Sequence, residues 1–147
     1  MVEDHAEQLT TGLIADLKQN PRTPEYRKFS DEELYRRVFS VYHDLGNWLG
    51  SEAANQVETH YSALGRRRAE ESVPLSEVIY ALIRTKTRLF EYVRRAGLFD
   101  SVVDLYQLQE FRRLVDSFFD QAIYYTARAY ERELALAPDR ESRTAQA

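Results

Sequence analysis

Lys86 is the residue whose position most strongly suggests a binding function. In a predicted helix its side chain falls in the middle of an apolar stripe, whose other members are Leu82, Leu89, Phe90 and Val93. A lysine in such a stripe must extend its ammonium group to solvent, pair with a carboxylate such as Asp116 or Asp120, or stay neutral. The functional alternative is a positive group at the floor of a pocket, where it would bind an anion or a polar small molecule.

Three side chains of the preceding predicted helix could complete such a pocket. His60 and Tyr61 lie on its inward face, and Arg68 continues that face two turns later. The four candidate ligand-binding residues are therefore His60, Tyr61, Arg68 and Lys86. Buried polar side chains are usually satisfied by neighbouring protein groups, so a purely structural role for all four is the competing interpretation.

The sequence offers little other chemistry. It contains no cysteine, and His60 is its one inward histidine. The motifs that bind nucleotide phosphates, hold zinc or carry a serine nucleophile do not occur. A ferritin-like di-iron site would need two Glu-x-x-His motifs, which are also missing. We therefore expect no catalytic residues, no metal and no cofactor, haem included, and we predict that the protein is not an enzyme.

Helical periodicity predicts the elements that must position these residues. Apolar side chains recur three or four residues apart along the whole chain, and no segment alternates with the period of a strand. The pattern predicts an all-α fold, a single bundle of about five helices near residues 3–19, 31–49, 52–70, 74–96 and 100–136. A histidine-containing helical chain of this length also invites comparison with globins, and we expect at most a distant globin-like arrangement without haem.

Capping signals mark several of the predicted helix starts. Ser30 and Glu33 form a capping box, in which the Ser30 hydroxyl accepts a hydrogen bond from the backbone N–H of Glu33. Ser51 is placed to cap the third helix in the same way. Ser72 is expected to cap the fourth helix, and Pro74 suits its first turn because proline has no N–H to leave unpaired.

The last predicted helix carries an apolar surface that is wide for one neighbouring helix. Leu108, Phe111, Val115, Phe118, Ala122, Tyr125 and Ala129 form a heptad seam, and a second stripe beside it contains Phe119, Ile123 and Tyr130. Either the helix is central in the bundle or a second copy of the chain covers the second stripe. We predict a homodimer with Phe119, Ile123 and Tyr130 in its interface.

Composition places further bounds on function. The length of 147 residues suits one domain, which we assign to residues 1–137, followed by a disordered polar tail at 138–147. A net charge of −4 gives no general attraction to nucleic acid or to an anionic membrane. No segment approaches the roughly 20 apolar residues of a membrane helix. The polar, acidic first residues differ from a signal peptide, so we expect a cytoplasmic protein.

Three stretches carry a family resemblance. They are RTPEY at 22–26, SDEELYRRV at 30–38 and YSALGRRRAEESVPLSEVIYAL at 61–82. Together they resemble the N-terminal helical domain of the RsbRD-type RsbT co-antagonist proteins, and the similarity covers about residues 5–135. In that family a C-terminal anti-sigma-antagonist-type domain carries the phosphorylated residues, and this chain is too short to include one. The resemblance thus implies only the input role.

Two functional hypotheses follow from these observations. The first, implied by the resemblance, is a non-catalytic sensory or interaction module of bacterial signal transduction and the stress response. Its partners would be a second copy of itself and another signalling protein. The alternative is a small-molecule or anion-binding protein that uses a basic interior pocket around Lys86 and Arg68.

Overall fold

Six α-helices and one short 3-10 helix form the parts of the chain that the structure describes. The structure is a computed structural model that describes residues 5–49, 54–96 and 102–146, and no strand occurs in these ranges. The α-helices are α1 (Ala6–Gln19), α2 (Asp31–His43), α3 (Leu45–Trp48), α4 (Ala54–Glu70), α5 (Leu75–Arg95) and α6 (Val102–Gln146), with the 3-10 helix at Pro24–Lys28. The predicted all-α bundle is confirmed.

The start of α2 follows the predicted capping box. The Ser30 hydroxyl accepts a hydrogen bond from the Glu33 backbone N–H at 3.1 Å. The helix predicted to continue to residue 49 is instead divided at Asp44, which has φ −100° and ψ 12°. That backbone geometry lies outside the helical region, so α3 forms a separate turn. Ser51, the predicted cap of the next helix, lies outside the described residues.

The turn between α4 and α5 corrects the prediction for Ser72. Its φ of 59° is left-handed, and its N–H donates to the Ala69 carbonyl while the Val73 N–H donates to the Arg68 carbonyl. These two bonds form a Schellman motif, which ends a helix. Ser72 therefore terminates α4 rather than capping α5. Pro74 occupies the cap position of α5, and no side-chain hydrogen bond caps that end.

An ion cluster fixes α1 against α5. The Asp16 carboxylate accepts hydrogen bonds from Arg84 at 2.6 and 2.9 Å and from Arg88 at 3.4 Å. Burial opposes ionisation of Asp16, but the hydrogen bonds and positive charges around it outweigh burial and lower the pKa of this carboxyl. The cluster holds α1 and α5 together along one side of the bundle.

Helices α4 and α6 form the most extensive helix pair of the bundle. Their backbones approach closely at Gly65, where a Cβ, if the residue had one, would lie 2.2 Å from the Thr126 carbonyl oxygen. Only a residue without a side chain permits so close an approach. The two helices also carry the fully buried residues Tyr61 on α4 and Val115, Phe119 and Ala122 on α6.

The apolar arc of α6 is covered largely within one chain. Val115, Phe118, Ala122 and Ala129 of the predicted seam are buried, and so are Phe119 and Tyr130, which are 1% and 6% exposed. Ile123 is half-buried. Phe119 and Tyr130 therefore offer no surface to a second copy, because α4 and α5 of the same chain pack against α6. Homodimer formation itself stays a prediction.

Helix α6 is longer than the sequence pattern predicts. Its 45 residues span about 68 Å at 1.5 Å per residue. The sequence predicted that this helix ends near Leu136 and that a polar tail begins at residue 138. In the structure the helix continues through Pro138 to Gln146. Proline lacks an N–H, so one hydrogen bond of the ladder cannot form there.

Candidate functional site

An interhelical cavity of about 420 Å³ lies between α1, α2, α4 and α5. Its volume falls in the range of about 300–1,000 Å³ that is typical of small-molecule sites. The walls are mainly aliphatic and aromatic, and the lining residues include Leu13, Leu17, Tyr26, Leu34, Val38, Val41, Leu64, Val78, Ala81 and Leu82. The apolar faces that build the bundle thus also line a partly open space large enough for a small molecule.

Three of the four predicted ligand-binding residues line this cavity. They are His60, Tyr61 and Arg68, all on α4. Lys86 is not among the lining residues. The α5 side chains that face the cavity lie on a different face of the helix and are Val78, Ala81, Leu82 and Thr85. The structure therefore brings the three α4 residues together and places Lys86 elsewhere, and a ligand-binding role for them stays a prediction.

Lys86 faces α6 instead. Its ammonium nitrogen is 3.4 Å from the Asp116 carboxylate, and 27% of its side chain is exposed. This is the pairing with an α6 carboxylate that the sequence left open as the structural explanation. Lys86 consequently contributes to the α5–α6 contact and not to the cavity.

Arg68 is buried and compensated by a carboxylate. It donates a hydrogen bond to Glu71 at 2.8 Å, and Arg37 of α2 donates two more to the same carboxylate at 3.2 and 2.8 Å. Burial opposes ionisation of Glu71, but the two arginines outweigh it and hold the pKa of Glu71 below its ordinary value. This cluster joins α2 to the α4–α5 corner, and its two arginines line the cavity.

The run Arg66–Arg68 has a different environment at each position. Arg66 is exposed and lies beside α6, Arg67 is exposed at the cavity, and Arg68 is buried behind it. Successive residues of a helix point about 100° apart, which accounts for the divergence. Arg36 on α2 also lines the cavity and is exposed. Neither Arg36 nor Arg67 has an ion-pair partner among the described residues.

His60 and Tyr61 connect the cavity to an aromatic cluster. The His60 ring lies 5.2 Å from Trp48 of α3 and 4.8 Å from Tyr61, centroid to centroid, and Tyr61 lies 5.7 Å from Phe118 of α6. Burial lowers the pKa of His60, and the nearby charge of Arg67 lowers it further, so the ring is neutral at pH 7. It can accept or donate a hydrogen bond in that state.

The Tyr61 hydroxyl is buried without a hydrogen-bond partner among the described residues. Burial also raises the pKa of this phenol, so it stays protonated. An unpaired buried hydroxyl is destabilising and uncommon in folded proteins. By contrast, the equally buried Tyr42 hydroxyl donates to the Thr85 carbonyl at 2.9 Å.

The sequence did not indicate Arg36, Arg37, Arg67 and Glu71 as residues of this site. One local signal was present, because Glu33 and Arg37 are four residues apart and pair at 2.8 Å on one face of α2. The contact from Arg37 to Glu71 spans 34 residues and depends on where the fold places α2 relative to the turn that follows α4. Among the described residues, no group of three or more His, Asp or Glu side chains could hold a metal ion.

Fold and cavity together define an all-α helical-bundle domain with an interior space of small-molecule size and a long final helix. The chain belongs to the family of the RsbT co-antagonist protein RsbRD N-terminal domain, whose family model matches residues 4–144. This confirms the resemblance seen in the sequence and identifies a domain of a signal-transduction family. No curated protein and no solved structure matches the chain. In the described parts of the chain, no helix combines the length and apolarity needed to cross a membrane.

Proposed function

We propose that this chain is a non-catalytic input module of bacterial, cytoplasmic signalling, which acts by changing the behaviour of a partner protein or domain. The observation that carries the proposal is the family match over residues 4–144. The long helix α6 supports it, since a continuous helix can carry a change in packing from the bundle to whatever it contacts.

A domain replacement tests this proposal. The full chain is joined through α6 to an RsbT co-antagonist protein from which the N-terminal domain has been removed. A stress-response reporter is then compared among the intact co-antagonist, the truncated protein and the fusion, at equal protein levels. We expect the fusion to restore a regulated response. A matched fusion with two residues inserted after α6 rotates the output domain by about 200° and should alter that response.

The result that would contradict the proposal is a fusion that behaves like the truncated protein although it is folded and equally abundant. A fusion that regulates normally in spite of the two-residue insertion would retain the input role. It would, however, exclude α6 as the route by which the signal leaves the domain.

We further propose that the module forms a homodimer. The support is a set of exposed large apolar side chains on α6, namely Leu105, Tyr106, Tyr124, Leu134 and Leu136. These replace Phe119 and Tyr130 as interface candidates. Sedimentation at tens of micromolar should give the mass of two chains, and Tyr124→Glu with Leu134→Glu should weaken the association. A wild-type monomer would contradict the proposal.

A further inference from the structure

The interhelical cavity has an apolar interior and a positively charged rim. Four arginines line it, and two carboxylates, Glu33 and Glu71, compensate Arg37 and Arg68. The compensated pair is structural, because it joins α2 to the α4–α5 corner. Arg36 and Arg67 add positive charge without an ion-pair partner among the described residues. The rim thus carries two positive charges in excess.

The interior opposite this rim is suited to an apolar group. Leu17, Leu34, Val78 and Leu82 form buried walls, and Val38 and Leu64 are half-buried. Removing apolar surface from water is favourable by about 25 cal/mol for each Å² buried. The same walls offer nothing to a sugar or another polyhydroxylated molecule, whose hydroxyls would lose their hydrogen bonds with water.

Polar groups between rim and interior can orient a ligand. His60 is neutral at pH 7 and lies beside Arg67, whose charge affects its titration. Tyr61 lines the same wall, and its hydroxyl has no hydrogen-bond partner among the described residues. A small number of polar groups in an otherwise apolar pocket is the usual arrangement of a small-molecule site.

From this arrangement we infer that the cavity binds an amphipathic anion, with its apolar body against the aliphatic walls and its anionic head at Arg36 and Arg67. A cationic head would be repelled by the rim, and an uncharged apolar molecule would gain no charge-assisted hydrogen bond from either guanidinium group. Charge-assisted hydrogen bonds from arginine are the stronger class and suit carboxylate and phosphate groups. The inference rests on the proposed function, since it names the chemical class of the input that the module would detect.

Isothermal titration calorimetry of the full chain tests the inference with three ten-carbon probes. Decanoate carries an anionic head, decanol an uncharged one and decyltrimethylammonium a cationic one. We expect decanoate to bind at one molecule per chain, decanol more weakly by about tenfold or more, and the cation not measurably. The tenfold figure corresponds to about 1.4 kcal/mol, the lower end for one charge-assisted hydrogen bond.

Two neighbouring arginines provide a matched pair of variants. Arg67→Gln removes a charge at the cavity rim and should weaken decanoate binding about tenfold while leaving decanol binding unchanged. Arg66→Gln removes a charge of the same helix that lies outside the cavity, beside α6. It should leave the binding of both probes unchanged. Both positions are exposed, so both variants are expected to fold, which circular dichroism confirms.

A third variant tests the location of the apolar body. Leu64→Trp places a larger side chain at the half-buried wall and should reduce the binding of decanoate and decanol alike. Native mass spectrometry of the protein as purified supplies an independent measurement. A retained molecule with an apolar body and an acidic head supports the inference, and a retained cation or sugar contradicts it.

Several outcomes would overturn the inference. One is that decanoate binds no more tightly than decanol. Another is that Arg66→Gln and Arg67→Gln lose equal affinity for decanoate. A third is that neither the anionic nor the neutral probe binds. Vesicles of phosphatidylglycerol distinguish a free ligand from a membrane surface. Binding to the vesicles without binding of decanoate would assign the basic rim to a lipid surface. If the domain fusion regulates its reporter while decanoate fails to bind, the input role stands and the ligand class is wrong.

Discussion

Replacing Gly65 with alanine should destabilise the protein, although alanine is the better helix former. A Cβ at this position would lie 2.2 Å from the Thr126 carbonyl oxygen and 3.1 Å from the Tyr130 backbone nitrogen. Ordinary contacts between such atoms exceed about 3.4 Å, so α4 and α6 would have to separate by about 1 Å. Both obstacles are backbone atoms of a helix, which cannot move without the helix that carries them.

The magnitude follows from two opposing terms. Exchange of glycine for alanine inside a helix stabilises by about 1 kcal/mol. Overpacking of a well-filled core costs about 1–3 kcal/mol and sometimes more, and here it also loosens the contact that buries Tyr61, Phe119 and Ala122 between the two helices. Because both obstacles are backbone atoms, we place the cost at the upper end of that range, about 3 kcal/mol. We therefore expect Gly65→Ala to lose about 2 kcal/mol net, a decrease in Tm of about 4–8 °C.

Gly12 is the matched control, because it is also a glycine inside a helix. The nearest obstacle to a Cβ there is the Arg88 guanidinium, at 2.6 Å. That group is the end of a flexible side chain and can move away. The move would cost only a weak contact with Asp16, at 3.4 Å. Gly12→Ala should therefore be neutral or stabilising by up to about 1 kcal/mol. Thermal and urea unfolding of both variants provide the comparison.

The reasoning would be refuted if Gly65→Ala were as stable as the wild type, or if the two alanine variants changed stability in the same direction by similar amounts. Either result would mean that α4 and α6 can separate at this crossing without loss, contrary to the close backbone contact that the structure shows.

Four further substitutions have expected outcomes. The folded state lowers the pKa of His60 below its ordinary 6.5, so the unfolded state binds more protons just below that pH. Stability should therefore decrease as pH falls from about 6.5, and His60→Gln should flatten the decrease in Tm measured from pH 7.5 to 5. Lys86→Met removes a partly exposed ion pair worth about 0–1 kcal/mol, so the free energy of unfolding measured in urea should differ from wild type by no more than about 1 kcal/mol. Tyr61→Phe removes an unpaired hydroxyl and should be neutral or stabilising, whereas Tyr42→Phe should lose about 1 kcal/mol, and differential scanning calorimetry should separate the two. Equal losses in the tyrosine variants would show that Tyr61 has a hydrogen-bond partner.

Features that depend on neighbouring residues were predictable from the sequence. The capping box at Ser30 involves residues three apart, and the apolar stripe of α6 follows from helical periodicity alone. The predicted inward face of α4 was correct for the same reason, which is why His60, Tyr61 and Arg68 line one cavity.

Features that depend on packing between distant segments were not predictable. Ser72 follows α4 and precedes α5, so its sequence position is compatible with capping either helix, and its left-handed backbone decides for the first. Lys86 belongs to the apolar stripe of α5, but its position near the α6 edge follows from how the two helices are rotated against each other. A glycine inside a predicted helix, such as Gly65, was the one available signal for a close helix crossing.

The two faces of α4 have a mechanical consequence. One face lines the cavity, and the other is in direct backbone contact with α6 at Gly65. Tyr61 joins the two, since it lines the cavity and its ring also contacts Phe118. A closely packed contact has low compressibility, so it transmits a displacement instead of absorbing it. A movement of α4 at the cavity would therefore press on α6 at this backbone contact, and any resulting tilt of a straight helix displaces its far end most.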